Sequence, residues 1–223
     1  MRHTRIAVFG FACVLASLAT WILAAEVLRP TTVIFTTDAQ SAGPIYAQRD
    51  AAVAAARAGL VRGDLWSEAA FAYGAMLWSQ DKSASDTLPF EQTRALIETA
   101  IAYAPHDSRL WLLLAANYFR FDWLNEGASA ALKMSYYTGS NTIAVLPQRL
   151  LLAMQSRALE DGEFQELVRH DIRIVVTHKP KLIAALAAAY QNAPLSGRQF
   201  IEKTLAEFDP SALASIRPDG EHH

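Results

Sequence analysis

Two segments of the chain repeat one pattern of rings and small side chains. In each, a tryptophan is followed at offsets 3, 4 and 7 by two small or apolar residues and a tyrosine. The two copies are Trp66-x-x-Ala69-Ala70-x-x-Tyr73 and Trp111-x-x-Leu114-Ala115-x-x-Tyr118. These offsets fall on one face of an α-helix, and a repeated helical face predicts stacked pairs of helices. A fold of that kind presents surfaces to partners, so we expect binding rather than catalysis.

Composition excludes several classes of function. The 223 residues carry a formal net charge of −2 with 19% charged side chains, so we expect no nucleic-acid partner. A hydrophobic content of 52% is typical of a folded chain with a core. Cys13 is the single cysteine, which rules out a disulfide or a cysteine-based metal site within one chain.

The N-terminus has the composition of a membrane anchor. A basic lead is followed by residues 6–25, which contain no charge. About 20 such residues in a helix cross a hydrocarbon core of about 30 Å. Trp21 suits the membrane interface, and Glu26 with Arg29 marks the exit into water. Because basic leads stay in the cytoplasm, we expect a single-pass protein of a bacterial inner membrane with its C-terminal domain in the periplasm.

Two other interpretations of this segment remain open. It would be a cleaved signal peptide if Ser17-Leu18-Ala19 or Leu23-Ala24-Ala25 served as the cleavage site. It would be a buried first helix if the protein were soluble. We favour the anchor because the apolar run is longer than the about 7–15 residues of a signal-peptide core.

The rest of the chain divides into a linker, a domain and a tail. With residues 1–28 as the anchor, we expect an extended linker over 29–44, which begins and ends near prolines. A helical domain without strands is expected over 45–208, and a flexible tail over 209–223. The predicted class is therefore all-α.

The Trp111 segment resembles the tetratricopeptide repeat family. That family has a W-x₂-L-G-x₂-Y first helix and a proline between units of about 34 residues. The matching positions here are Trp111, Leu114, Ala115 (in place of the commoner glycine), Tyr118, and Pro105, which precedes Trp111 by six residues. The Trp66 copy lies 45 residues earlier, and an insertion in a polar loop over 81–88 would account for the excess. The resemblance covers residues 63–141 and implies a short, partly degenerate antiparallel helix-pair solenoid.

The same resemblance implies a groove that binds a partner. In the family, the residues of the groove alternate with the packing stripe along each first helix. The positions that this places on the groove are Phe71, Arg109, Leu112, Ala116, Phe119 and Arg120. The alternative is that these rings only join the two helices of each pair.

Candidate chemistry is sparse. Glu163, Glu166 and His170 share one helix face at offsets 0, 3 and 7, and such a face would present two oxygens and a nitrogen to a metal. A solvated face with a Glu–His contact explains the same spacing. We therefore predict no catalytic residue, no metal and no cofactor.

The sequence as a whole predicts a membrane-anchored scaffold or adaptor for protein partners in the membrane or periplasm, with a role in envelope or polysaccharide assembly. An accessory enzyme or glycan-binding domain of the envelope that uses the Glu163 face is the alternative. A structural protein that associates with its own copies is a third hypothesis.

Overall fold

The computed structural model describes residues 2–31, 33–37, 39–78, 90–121, 126–178 and 180–217. Within those ranges the chain is helical and has no strand, which confirms the predicted all-α class. It divides into two compact units, a first unit of residues 1–104 and a second unit of residues 105–223.

The first unit holds five described α-helices and one short 3₁₀ turn. The helices are α1 (Arg2–Leu28), α2 (Ala39–Tyr46), α3 (Arg49–Gly59), α4 (Gly63–Gly74) and α5 (Phe90–Tyr103), and the 3₁₀ turn is Ala75–Trp78. The polar loop predicted at 81–88 lies outside the described residues.

The second unit holds seven described α-helices and three 3₁₀ turns. The α-helices are α6 (Ser108–Phe121), α7 (Glu126–Thr138), α8 (Leu146–Gln155), α9 (Gly162–His178), α10 (Ile183–Asn192), α11 (Leu195–Phe208) and α12 (Pro210–Ile216). The 3₁₀ turns are Ile143–Val145, Arg157–Glu160 and Pro180–Leu182.

Helix α1 is long and apolar enough to cross a membrane. Its residues 5–20 are exposed along their whole length. Beyond that stretch the helix packs on α3, where Ala25 is buried and the Trp21 indole donates a hydrogen bond of 2.5 Å to the Ala58 carbonyl. The buried face of α3 consists of alanines and a glycine at helical spacing, and such small side chains let two helices approach closely.

The chain after α1 is packed rather than extended, which corrects our expectation for residues 29–44. Val33 is buried, and the Phe35 ring meets the Phe71 ring edge to face at 5.4 Å. Helix α2 then buries Ala42 and Ile45. The segment packs because its apolar side chains find a surface to cover, a gain that its proline and threonine content does not reveal.

The two tryptophan stripes each belong to an antiparallel helix pair. Gly63 at the start of α4 lies against Tyr103 at the end of α5, and the Ser135 hydroxyl of α7 donates to the carbonyl of Ser108 at the start of α6. The small residues of the stripes are fully buried, whereas the Trp66 and Trp111 rings are half-buried. The predicted packing role of the stripes is thus seen for their small members.

Both tryptophans also make the same hydrogen bond. The Trp66 indole donates to the Leu60 carbonyl at 2.6 Å, and the Trp111 indole donates to the Pro105 carbonyl at 2.8 Å. Each tryptophan is the fourth residue of its helix, and each acceptor lies six residues earlier. Gln165, the fourth residue of α9, donates its amide to the Leu159 carbonyl in the same register.

The end of the chain differs from the predicted tail. Residues Pro210–Ile216 form α12, which buries Ala212 and Ile216. The Asp209 carboxylate caps this helix by accepting hydrogen bonds from the backbone N–H groups of Ser211 and Ala212. Burial of these two apolar side chains favours a packed helix over a flexible tail at residues 210–216. Residues 218–223 lie outside the described part.

Candidate partner-binding site

The second unit contains a cleft of about 440 Å³. Its walls come from the end of α6, the first half of α7, the end of α8 and the 3₁₀ turn that follows. The lining residues include Phe119, Ser129, Gln155, Ala158, the acids Glu126, Glu160 and Asp161, and the bases Lys133 and Arg157. A volume of this order accommodates several side chains of a bound segment.

Hydrogen bonds hold the far wall of the cleft in place. The Ser156 hydroxyl accepts a bond from the Ala158 backbone N–H at 3.0 Å and lies 3.1 Å from the Ser129 hydroxyl of α7. This links the start of the 3₁₀ turn to α7. The wall is therefore preformed, which lowers the entropy cost of binding.

Lys133 and Asp161 form an ion pair on the rim of the cleft. The hydrogen bond from Lys133 is the largest cause that holds the pKa of the Asp161 carboxyl below its usual value, and a bond from the Glu163 backbone N–H adds to it. Asp161 is thus charged at neutral pH. The rim presents both signs of charge, which favours a partner segment that is polar and carries both signs as well.

The six residues predicted for the groove differ in their burial and in their surroundings. Phe119 lines the cleft, and Arg120 follows it half-buried at the end of α6. The Arg109 guanidinium is bound to the Asp107 carboxylate at 2.7 and 2.9 Å. The buried members of the set are Phe71, which belongs to the first unit, and Leu112 and Ala116. Phe119 is therefore the member of the set that lines the cleft, and a binding role for the set stays a prediction.

The Glu163 face does not assemble into a metal site in the described ranges. Glu163 accepts a hydrogen bond from the Tyr137 hydroxyl at 3.1 Å, and Glu166 pairs with Arg169 on the next turn. Over the residues that the structure describes, no group of three His, Cys, Asp or Glu side chains could hold a metal ion. Both carboxylates interact with nearby side chains, as is typical of a solvated helix face.

The second unit also contains a buried ion pair that the sequence analysis did not predict. Arg149 of α8 and Asp171 of α9 are each 1% exposed, with 3.6 Å between the guanidinium and the carboxylate. Arg149 also donates to the carbonyls of Ser135 and Gly139 at 3.1 and 2.8 Å, and its guanidinium lies 4.5 Å from the centre of the Tyr136 ring. One arginine thus joins the end of α7 to α8 and α9.

A signal for this pair does exist in the sequence. Asp171 falls between Val168 and Ile172 on the apolar stripe of α9, and Arg149 falls beside Leu146 and Leu150 on that of α8. A charge on an apolar stripe needs a partner if it is buried. Nothing in the spacing says that the two charges meet each other.

Burial raises the pKa of the Asp171 carboxyl to about 6, and Arg149 opposes that rise. Between about pH 4 and pH 6 the folded chain then holds a proton that the unfolded chain has lost, so this group makes stability fall as pH rises, by up to about 3 kcal/mol. We expect urea unfolding across this range to show that decrease, and Asp171→Asn to lack it. Equal pH slopes in the two proteins would contradict the assignment.

The chain was also compared with known proteins. Searches of protein-family models, curated proteins and solved structures found no match to it.

Proposed function

We propose that this protein is a membrane-anchored scaffold whose helical units bind protein partners on the periplasmic side of a bacterial inner membrane. The observation that carries the proposal is the hydrogen bond that both tryptophan indoles donate to a backbone carbonyl in the same register. In α4 and in α6 the same position of the helix donates to the carbonyl six residues earlier, and both helices have an antiparallel partner. Repeated helix pairs that stack on one another are typical of tetratricopeptide-like arrays.

The cleft beside Phe119 supplies the binding surface in this proposal. An aromatic ring next to charges of both signs is the composition of an interface hot spot with a polar rim. A segment of a partner would place an apolar side chain against Phe119 and its charges against Arg157 and Glu160. A role in envelope or polysaccharide assembly fits an anchored protein of this design.

Site-specific photocrosslinking tests the binding. With a benzophenone amino acid at position 119 of the full-length chain in its native host, we expect one discrete adduct with a partner protein. The charge reversal Arg157→Glu should abolish the adduct, because Arg157 lines the same cleft and is exposed. The matched reversal Lys203→Glu, at an exposed position of α11, should leave it intact.

Two outcomes would contradict the proposal that the cleft binds the partner. One is an adduct that persists in Arg157→Glu at its normal yield. The other is the same adduct from a probe at Leu195, an exposed residue of α11 that is not among those lining the cleft.

Cysteine labelling tests the location. Cys13 is the single cysteine, so a Cys13→Ser chain carrying Lys203→Cys has one thiol on the surface of the second unit. We expect a maleimide that does not cross membranes to label this thiol in spheroplasts, and the intact mass to include α1. Labelling only after lysis would place the domain in the cytoplasm, and a mass lacking the first 19 or 25 residues would indicate the cleaved signal peptide.

A further inference from the structure

The turn between α3 and α4 carries exposed apolar side chains. Leu60 is 57% exposed and Val61 is 69% exposed. Next to them the Trp66 ring stacks on the ring of Tyr103, with centroids 5.7 Å apart and planes 9° apart, and Tyr103 is itself 46% exposed. We call these four residues the turn surface.

The position of this surface relative to α1 is set by contacts within the first unit. Trp21 of α1 is bonded to Ala58, Glu26 is paired with Arg62 at 2.7 Å, and Arg29 is bonded to Glu68. Later residues of α1 thus contact later residues of the segment that runs from α3 into α4. The turn is therefore level with residues 21–26 of α1, next to its exposed apolar part.

The length of the apolar run in α1 places the turn between α3 and α4 near the lipid. Residues 6–25 have no charge and span about 30 Å, which is about the thickness of a hydrocarbon core. Trp21 lies four residues before the end of that run, or about 6 Å inside it. If α1 spans the bilayer, the end of α3 bonded to Trp21 is drawn to the boundary between hydrocarbon and headgroups.

The backbone of the turn is prepared for such an environment. The carbonyls of Ala58 and Leu60 accept hydrogen bonds from the indoles of Trp21 and Trp66, and the Arg62 N–H is bonded to the Gly59 carbonyl. A backbone group left without a partner costs several kcal/mol in hydrocarbon, so these bonds remove an obstacle to insertion. Trp and Tyr rings are also the side chains that favour this depth.

Leu60 supplies an independent observation. Its φ of 52° makes it the one non-glycine residue with positive φ that the structure describes. With its ψ of −82° it lies in a sparsely populated region of backbone conformation, which costs a non-glycine residue about 1–3 kcal/mol. Because the Leu60 side chain is exposed, packing in the core does not offset this cost. Burial of the side chain in lipid would offset it.

We propose that the turn surface inserts into the headgroup region of the bilayer, so that the first unit sits on the membrane that α1 anchors it to. The proposal rests on the anchoring role of α1 proposed above. It makes a lipid surface the ligand of Leu60 and Val61, with Trp66 and Tyr103 at the interface. The charges of Glu26, Arg62, Asp64 and Arg29 form a paired network directly beyond it.

Depth-dependent fluorescence quenching tests this inference. The full-length chain is reconstituted in vesicles of phosphatidylcholine and phosphatidylglycerol, with an NBD probe on one cysteine and a spin-labelled lipid as the quencher. Three labelled proteins are compared. They carry the probe at Val61→Cys or at Asp50→Cys, both in a Cys13→Ser chain, or on the native Cys13. Asp50 is the matched control, because it is exposed at the opposite end of α3.

We expect the probe at position 61 to lose most of its emission to the quencher and to have a blue-shifted maximum, whereas the probe at position 50 keeps its emission. Quenching at Cys13 together with none at position 61 would overturn the inference and leave the anchor standing. A blue shift at position 61 without quenching would assign the turn to contact with a second copy of this chain and also overturn the inference. A lack of quenching at Cys13 would overturn the anchor and the inference together.

Discussion

Arg149→Met should destabilise the second unit by about 3–5 kcal/mol, since it leaves a buried carboxylate without its counter-charge. Asp171 is 1% exposed, and burial already raises its pKa to about 6 in the presence of Arg149. The substitution also removes the two hydrogen bonds that Arg149 donates to carbonyls at the end of α7. Chemical unfolding of the full-length chain in detergent would measure the loss, and hydrogen exchange would locate it in α7, α8 and α9.

A second substitution separates the ion pair from simple packing. Arg149→Met/Asp171→Leu removes both charges and keeps apolar bulk, so most of the lost stability should return. Arg157→Met is the matched control, because this arginine is exposed, and it should change stability by no more than about 0.5 kcal/mol. A double variant as unstable as Arg149→Met would show that the arginine acts through its carbonyl bonds rather than through Asp171.

Gly197→Ala should destabilise the second unit by about 1–3 kcal/mol, as overpacked positions do. Gly197 lies in α11, and a Cβ built on it would be 2.5 Å from the Met154 carbonyl oxygen at the end of α8. A backbone atom cannot swing aside as a side chain does, so α11 would have to move away from α8. Alanine favours a helix over glycine by about 1 kcal/mol, but the clash outweighs that gain.

Gly162→Ala is the matched control for this prediction. It is also a helical glycine, the first residue of α9, and no heavy atom of the neighbouring structure lies within 4 Å of its would-be Cβ. We expect it to be neutral or slightly stabilising in the same unfolding experiment. If Gly197→Ala were as stable as Gly162→Ala, this would contradict the close contact between α11 and α8.

The candidate site shows which kinds of inference a sequence supports. Phe119, a predicted partner-binding residue, lines a cleft near the end of α6. The tetratricopeptide resemblance implies the same groove for Leu112 and Ala116, yet both are buried. A helical period says which residues share a face, but it cannot say whether another element covers that face.

Local chemistry determined the elements of this protein. The period of apolar side chains predicts helices over residues 45–208, and the uncharged run of residues 6–25 predicts a helix long enough to cross a membrane. The tryptophan stripes predict helix pairs. These signals are readable because a helix is built from contacts three and four residues apart. Only the tertiary structure decided that Phe35 packs on Phe71, that Arg149 meets Asp171, and that Trp21 of α1 bonds to Ala58 at the end of α3. Such contacts join residues far apart in the chain, and their free energy depends on which surfaces meet, a quantity that no local pattern contains.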